Sequence, residues 1–171
     1  MQITNDVSLN GPVWAEMLDL LVGEIFDTNW DVYALCISIG MMYDCQIGSD
    51  QMSPNDYTEN PRYIPRNVLI SGQRKGLLEF MLQAALVTTK HVDLSEDQRL
   101  EYAFGDNPNI PFKPLAFLTN YANYGITKLK EVLEDATDIE LMERIMTYLD
   151  DLYTYGYDPT ADLNLELDNV N

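Results

Sequence analysis

Acid–base or nucleophilic chemistry in this chain would have to be assembled from one histidine, two cysteines and a large surplus of carboxylates. His91 is the only histidine, so metal sites built on several imidazoles are ruled out, and a histidine relay has a single candidate. That candidate stands beside Lys90 at the end of a helical pattern, where a cation suits the helix dipole, and it reads as structural. Cys36 and Cys45 are nine residues apart, a spacing that fits neither a zinc site nor a redox pair. Both read as small apolar residues. The stretch "SGQRKG" sets two glycines and two cations before a helix, without the spacing or the terminal Ser or Thr of a phosphate loop. Acid pairs such as Glu131 with Glu134 and Asp135 are what a two-carboxylate hydrolase would need. Among 28 Asp and Glu, however, such pairs arise by chance, and these lie on a solvated helical face. No catalytic, cofactor-binding or metal-ligating residue is assigned, and the chain reads as a non-enzyme that takes no cofactor.

Binding is the better-supported chemistry. Ten Lys and Arg against 28 Asp and Glu give a formal net charge of −18, a surface that repels nucleic acid unless a local patch overrides it. No cation precedes Arg62 or follows Arg144, so both ends are purely acidic. The concentrated exception is "RYIPRNVLISGQRK", in which Arg62, Tyr63, Arg66, Arg74 and Lys75 form a candidate partner-binding cluster. Against so negative a background these residues are expected to meet protein, either a partner's acidic surface or the chain's own acidic segments. Direct nucleic-acid binding is not expected.

The elements that must position these residues are helical. In a chain of 171 residues, one domain with one core is expected. Its parts read as a flexible N-terminal arm over 1–11, a helical domain over 12–153 and an acidic tail over 154–171. Pro12 opens an amphipathic helix through Trp14, Met17, Leu18, Leu21, Val22 and Ile25. Thr28 and Asp31 have capping-box spacing, and the apolar run behind them predicts a central buried helix. Residues 47–65 carry Gly, Ser, Asn and Pro and predict a long loop; "RNVLIS" has strand composition but no evident partner strand. A helix capped by Ser71 follows over about 73–90, with Leu77, Leu78, Met81, Leu82 and Ala85 on one side. Ser95 and Gln98 start a short helix closed by Gly105, and "GDNPNIPFKP" is a turn-rich linker. Two further helices run over about 114–134 and from Thr137, where Thr137 and Glu140 form a second capping box. In the tail, Leu163, Leu165 and Leu167 alternate with polar residues, which suits either a frayed end or a strand added to a partner's sheet. The fold class is therefore mainly α, a bundle of five to six helices with a long loop and an acidic terminal tail. The longest apolar run is too short to span a bilayer, and with two free thiols and no signal peptide the default setting is cytoplasmic.

The helix over 114–134 contains Asn120, Asn123 and Gly125, which together give up roughly 1.5–2 kcal/mol of intrinsic propensity. Gly125 shares a face with Leu118, Tyr121, Leu129 and Val132, so close approach of another helix is the expected compensation, with Tyr121 and Tyr124 filling space around it. Asn120 and Asn123, off the centre of the stripe, are expected to bond a loop or partner backbone. Ile25, Phe26, Thr28, Asp31, Val32, Ala34 and Gly40 in the first long segments, and Tyr121, Ala122, Asn123 and Gly125 in the late one, carry a family likeness. The chain resembles the small Dnd system-associated proteins encoded beside bacterial DNA-phosphorothioation genes. It departs from that pattern at Tyr124, where a glycine is expected, and in lacking the leading basic segment.

The resemblance implies an accessory subunit of a bacterial anti-phage defence or DNA-modification locus, without activity of its own, docking on a larger ATPase or nuclease. Exposed apolar area and self-association into a homo-oligomer are expectations for such a subunit expressed alone. The alternative is an acidic DNA-mimic inhibitor of the anti-restriction type, whose carboxylates imitate the phosphate array.

Overall fold

A computed structural model describes residues 1, 3–53, 61–105 and 111–156. The chain divides into two compact units, Met1–Glu131 and Val132–Asn171. The described residues are mainly helical, with seven helices, one of them a single turn, and two short strands. The tail beyond residue 156, including the alternating leucines, and the middle of both predicted loops lie outside the described residues.

In the first unit, strand β1 (Val7–Leu9) precedes helices α1 (Pro12–Leu21) and α2 (Asn29–Tyr43). Strand β2 (Arg62–Ile64) and the single turn α3 (Arg66–Leu69) follow, then α4 (Gly72–Thr88), α5 (Glu96–Phe104) and α6 (Pro114–Val132), which ends at the unit boundary. The expected flexible arm over 1–11 is instead tied down. β1 pairs antiparallel with β2 in the register Val7 to Ile64, Ser8 to Tyr63 and Leu9 to Arg62, and Ile3, Val7, Leu9 and Ile64 are buried. An alternation only three residues long is too short to stand out as a period, and its meaning depends on a partner more than fifty residues away. The strand also falls before "RNVLIS", which turns into α3 behind Pro65.

Local signals set most helix starts. Pro12 occupies the first turn of α1. Thr28 caps α2, its backbone N–H and hydroxyl both donating to Asp31 Oδ2 at 2.9 and 2.7 Å. Ser95 and Gln98 close a reciprocal box at α5, which ends at Gly105. In the second unit, the Thr137 amide and hydroxyl donate to Glu140 Oε2 at 2.9 and 2.8 Å. That box forms a turn, and α7 (Leu141–Tyr155) begins only after it and runs two residues past the expected end.

The core of the first unit is the crossing of α2 and α6. Trp14, Tyr33, Cys36, Ile37, Leu118, Tyr121, Ala122 and Ile126 are all buried. Tyr33 stands between Trp14 and Trp30, with ring centroids 6.4 and 6.2 Å away. At the crossing two glycines meet opposing backbone. A Cβ on Gly125 would overlap the Cys36 carbonyl group of α2, and a Cβ on Gly40 would overlap the Tyr121 carbonyl group of α6. Each helix thus lets the other's main chain into a gap no side chain occupies, which is the tight approach that compensates for weak propensity in α6. Helix α2 buries Trp30, Val32, Tyr33, Cys36, Ile37, Ile39 and Gly40, whereas Ala34, Leu35 and Ser38 are half-buried and its last turn surfaces at Met42, so the expected all-round burial holds for one side only. No helix of the described residues is long and apolar enough to cross a membrane.

Gly125→Ala should therefore separate α2 from α6 and lower stability by about 3 kcal/mol, on the order of 6–12 °C in thermal midpoint. Gly40→Ala should behave alike, whereas an unchanged midpoint in either variant would mean that no close backbone contact exists there.

Candidate interaction surfaces

The basic cluster is divided among three elements and lies at the surface, where three of its four cations also contact the chain itself. Arg62, at the end of β2, donates from Nη2 to both carboxylate oxygens of Asp19 on α1, at 2.7 and 2.8 Å. Arg66 donates from Nε to the Ile3 carbonyl at 2.9 Å and from its backbone N–H to Asp6 Oδ1 at 2.7 Å. Lys75, in the first turn of α4, lies 3.7 Å from Glu79, which also accepts the α-amino group of Met1 at 3.0 Å. Arg62 thereby pairs with an acid of α1, Arg66 holds Ile3 and Asp6 through its guanidinium and its backbone N–H, and Lys75 pairs within α4 with the carboxylate that takes the chain's α-amino group. Tyr63 faces outward from β2, and Arg74 is half-buried without an ion pair among the described residues.

The α6 residues singled out in the sequence are gathered where α6 meets α1, α2 and the loop behind Tyr43. Asn123 is buried with its polar atoms matched: its Oδ1 accepts from Trp14 Nε1 at 2.9 Å, and its Nδ2 donates to the Ile47 carbonyl at 3.0 Å and to Ser49 Oγ at 3.4 Å. The Ile47 N–H in turn donates to the Asn120 carbonyl at 3.0 Å. One amide therefore ties α1, α6 and the start of the long loop together. Tyr121 reaches from the same helix to Asp44, donating its hydroxyl to Oδ1 at 2.9 Å.

Asp44 ends α2 in the left-handed conformation, φ 49°, which Asp and Asn tolerate better than most residues. Its Oδ2 accepts the Lys90 N–H at 3.0 Å, and His91 Nε2 lies 3.8 Å away. Partial desolvation by itself would raise the carboxyl pKa. The Thr89 hydroxyl, the Lys90 amide, the Tyr121 hydroxyl and the charge of His91 together outweigh it and hold the group below its usual range. Tyr121 is pushed up to about 12, chiefly by burial, with the Asp44 charge acting in the same direction.

Asp44, Cys45, Gln46, Ile47, His91 and Tyr124 line a depression of about 450 Å³. A thiol, an imidazole and a carboxylate are the ingredients of a cysteine relay. Here both carboxylate oxygens are engaged by Tyr121 and Lys90, and His91 stands beyond hydrogen-bond reach of Asp44. The cluster is a junction that pins the ends of α2 and α4 to α6. Cys36 is buried and its thiol is pushed well above the usual range by desolvation, so it stays neutral packing material. Among the described residues no group of three metal-ligating side chains is placed to hold a metal ion.

A different surface is open. Ser38, Met41 and Met42 of α2 and Leu77, Phe80 and Met81 of α4 form an apolar groove of about 370 Å³. Phe80 is 66 % exposed, and Leu77, expected on the buried side of its helix, also lies outward. Leu78, Met81, Leu82, Ala85 and Leu86 already supply the buried stripe of α4, leaving Leu77 and Phe80 beyond its edge. Ser38 satisfies its hydroxyl by donating to the Ala34 carbonyl at 3.1 Å, so the groove wall presents little unmet polarity. The sequence signal for this groove was the pair Met41-Met42 at the end of an all-apolar helix, which burial alone does not account for.

Two substitutions check the junction. Asn123→Ala should leave the Trp14 donor and the Ile47 acceptor unmatched and cost about 2–4 kcal/mol in urea unfolding. Asp44→Asn keeps the left-handed turn but removes the charge. Because the folded carboxyl pKa is depressed, its stabilisation is present above the unfolded value near 3.9 and is lost as pH falls through the lower folded value. The stability gap between wild type and Asp44→Asn should be constant above about pH 5 and shrink in acid; a gap that widens in acid would contradict this assignment. No family model, curated protein or solved structure matches the chain.

Proposed function

We propose that the chain is a non-catalytic interaction subunit that docks on a larger protein, an ATPase or nuclease of a bacterial defence or DNA-modification-linked system. The observation that carries the docking role is the groove between α2 and α4, where Phe80, Leu77 and Met42 stand exposed together. Contiguous apolar surface on a small acidic protein is disfavoured unless something covers it. An aromatic ring flanked by methionines suits a partner surface, the ring as an anchor and the thioethers as adaptable packing around it. The defence setting follows from the resemblance to the Dnd system-associated proteins. The surface basic cluster of Arg62, Tyr63, Arg66, Arg74 and Lys75 is a second contact surface for that partner, with Arg74 the member that has no ion pair among the described residues.

The second reading is the acidic DNA mimic. It is favoured by the way cations are consumed in local pairs, with Lys130 on Glu16, Lys128 on Glu131 and Arg144 on Glu140 in addition to those above. With several of the ten cations spent on acids of the chain itself, a mimic would keep most of its net charge of −18 uncompensated.

Affinity capture of the tagged protein from its native lysate, with and without nuclease treatment, separates the two. The subunit reading expects one large ATPase or nuclease that persists after nuclease treatment and is lost, by at least tenfold, with Phe80→Glu. Capture of a DNA-binding enzyme that free duplex DNA displaces, indifferent to Phe80→Glu, would replace it with mimicry.

A further inference from the structure

Helix α7 carries a second apolar stripe beside its buried face. Leu141, Ile145 and Leu152 are buried. About a quarter turn away around the helix, Met142, Met146, Leu149 and Tyr153 recur at intervals of three and four residues, and Ile139 precedes them in the turn before the helix. The stripe has the spacing of a coiled-coil seam and is open to solvent: Met142 is 48 % exposed, Met146 58 % and Tyr153 84 %, with Ile139 beside it 93 % exposed. The residues bordering the seam on its outer side are Glu143 and Asp150. Arg144 is the one cation of α7, and it is taken up by the Glu134 carbonyl at 2.8 Å and Glu140 Oε2 at 3.4 Å. No Lys or Arg follows it in the chain.

We infer that this α7 seam docks an amphipathic helix of a partner protein whose apolar heptad stripe is bordered by Lys or Arg. The apolar spacing fixes the shape of the occupant, and the acidic border fixes its charge. A second copy of this chain fits poorly, because pairing two α7 helices would bring Glu143 and Asp150 of each into the neighbourhood of the other's acids. The assignment rests on the reading of the chain as an interaction subunit but uses a surface distinct from the α2–α4 groove.

The test uses the full chain and two labelled peptides of three heptads, both with Leu at the a and d positions, one with Lys and one with Glu at the e and g positions. Fluorescence anisotropy should show binding of the Lys peptide and at least tenfold weaker binding of the Glu peptide. Met142→Glu/Met146→Glu, altered only at exposed positions, should weaken the Lys peptide at least tenfold, and Glu143→Lys/Asp150→Lys should reverse the preference. Phe80→Glu should leave peptide binding unchanged, so a failure here is distinguishable from failure of the groove. The inference is overturned if neither peptide binds or if binding survives Met142→Glu/Met146→Glu. It is equally overturned if sedimentation shows a dimer that this double variant dissociates, which would make a second copy the occupant.

Discussion

Contact between the main chains of α2 and α6 is the constraint on which the first unit depends. Most helix pairs are held apart by the side chains between them, at interaxial distances of roughly 8–10 Å. Here Gly40 and Gly125 remove the spacer at two points, and each receives the carbonyl group of the opposing helix. With α6 seated so closely, Tyr121 reaches the end of α2 at Asp44, and Asn123 reaches both Trp14 and the loop at Ile47. Moving α6 outward by the width of a methyl group would lengthen all of these bonds together. Two of the weak helix formers in α6, Asn123 and Gly125, are thus matched to a hydrogen-bonding and a packing task, while Asn120 contributes its backbone carbonyl to the Ile47 N–H.

Charge is arranged around this core with a clear division of labour. Of the four cations in the basic stretch, Arg62 holds α1 through Asp19 and Arg66 holds the N-terminal segment through Asp6 and the Ile3 carbonyl, while Lys75 pairs within α4 with Glu79, the carboxylate that also takes the α-amino group of Met1. Exposed pairs of this kind contribute little each, so β1 depends chiefly on burying Ile3, Val7 and Leu9. The consequence for function lies in what remains. With several cations spent on local acids, the chain keeps its large negative excess, against which exposed apolar features stand out as places a partner would cover. Both the α2–α4 groove and the α7 seam are such features, each built from methionine and an aromatic ring.

The polar junction shows how residue types can mislead when taken without geometry. Asp44 and Cys45 adjoin in sequence and His91 lies far from both, and the fold brings the three to one depression. Hydrogen bonds decide their role. Asp44 is committed to Tyr121 and Lys90, and its depressed pKa is the mark of an anchored carboxylate. A depressed pKa of this sort reports structure as readily as it reports an active site.

Helix existence and most helix starts were written in the sequence, because they depend on neighbours within four residues. Pro12, the Thr28–Asp31 box, Ser71, the Ser95–Gln98 box and Gly105 mark element ends that the structure shares. The glycine in the apolar stripe of α6 was legible in the same way, as a local weakness needing a distant compensation. Tertiary structure alone decided what lies far apart in sequence. That Val7–Leu9 is a strand depends on Arg62–Ile64, that Leu77 and Phe80 face outward depends on how much of α4 the core needs, and that Arg62 is engaged depends on where α1 places Asp19. The physical reason is range: caps and periodicities are set by a helix's own hydrogen bonds, whereas strand pairing, helix rotation and ion pairing are set by surfaces that meet only after the chain has closed on itself.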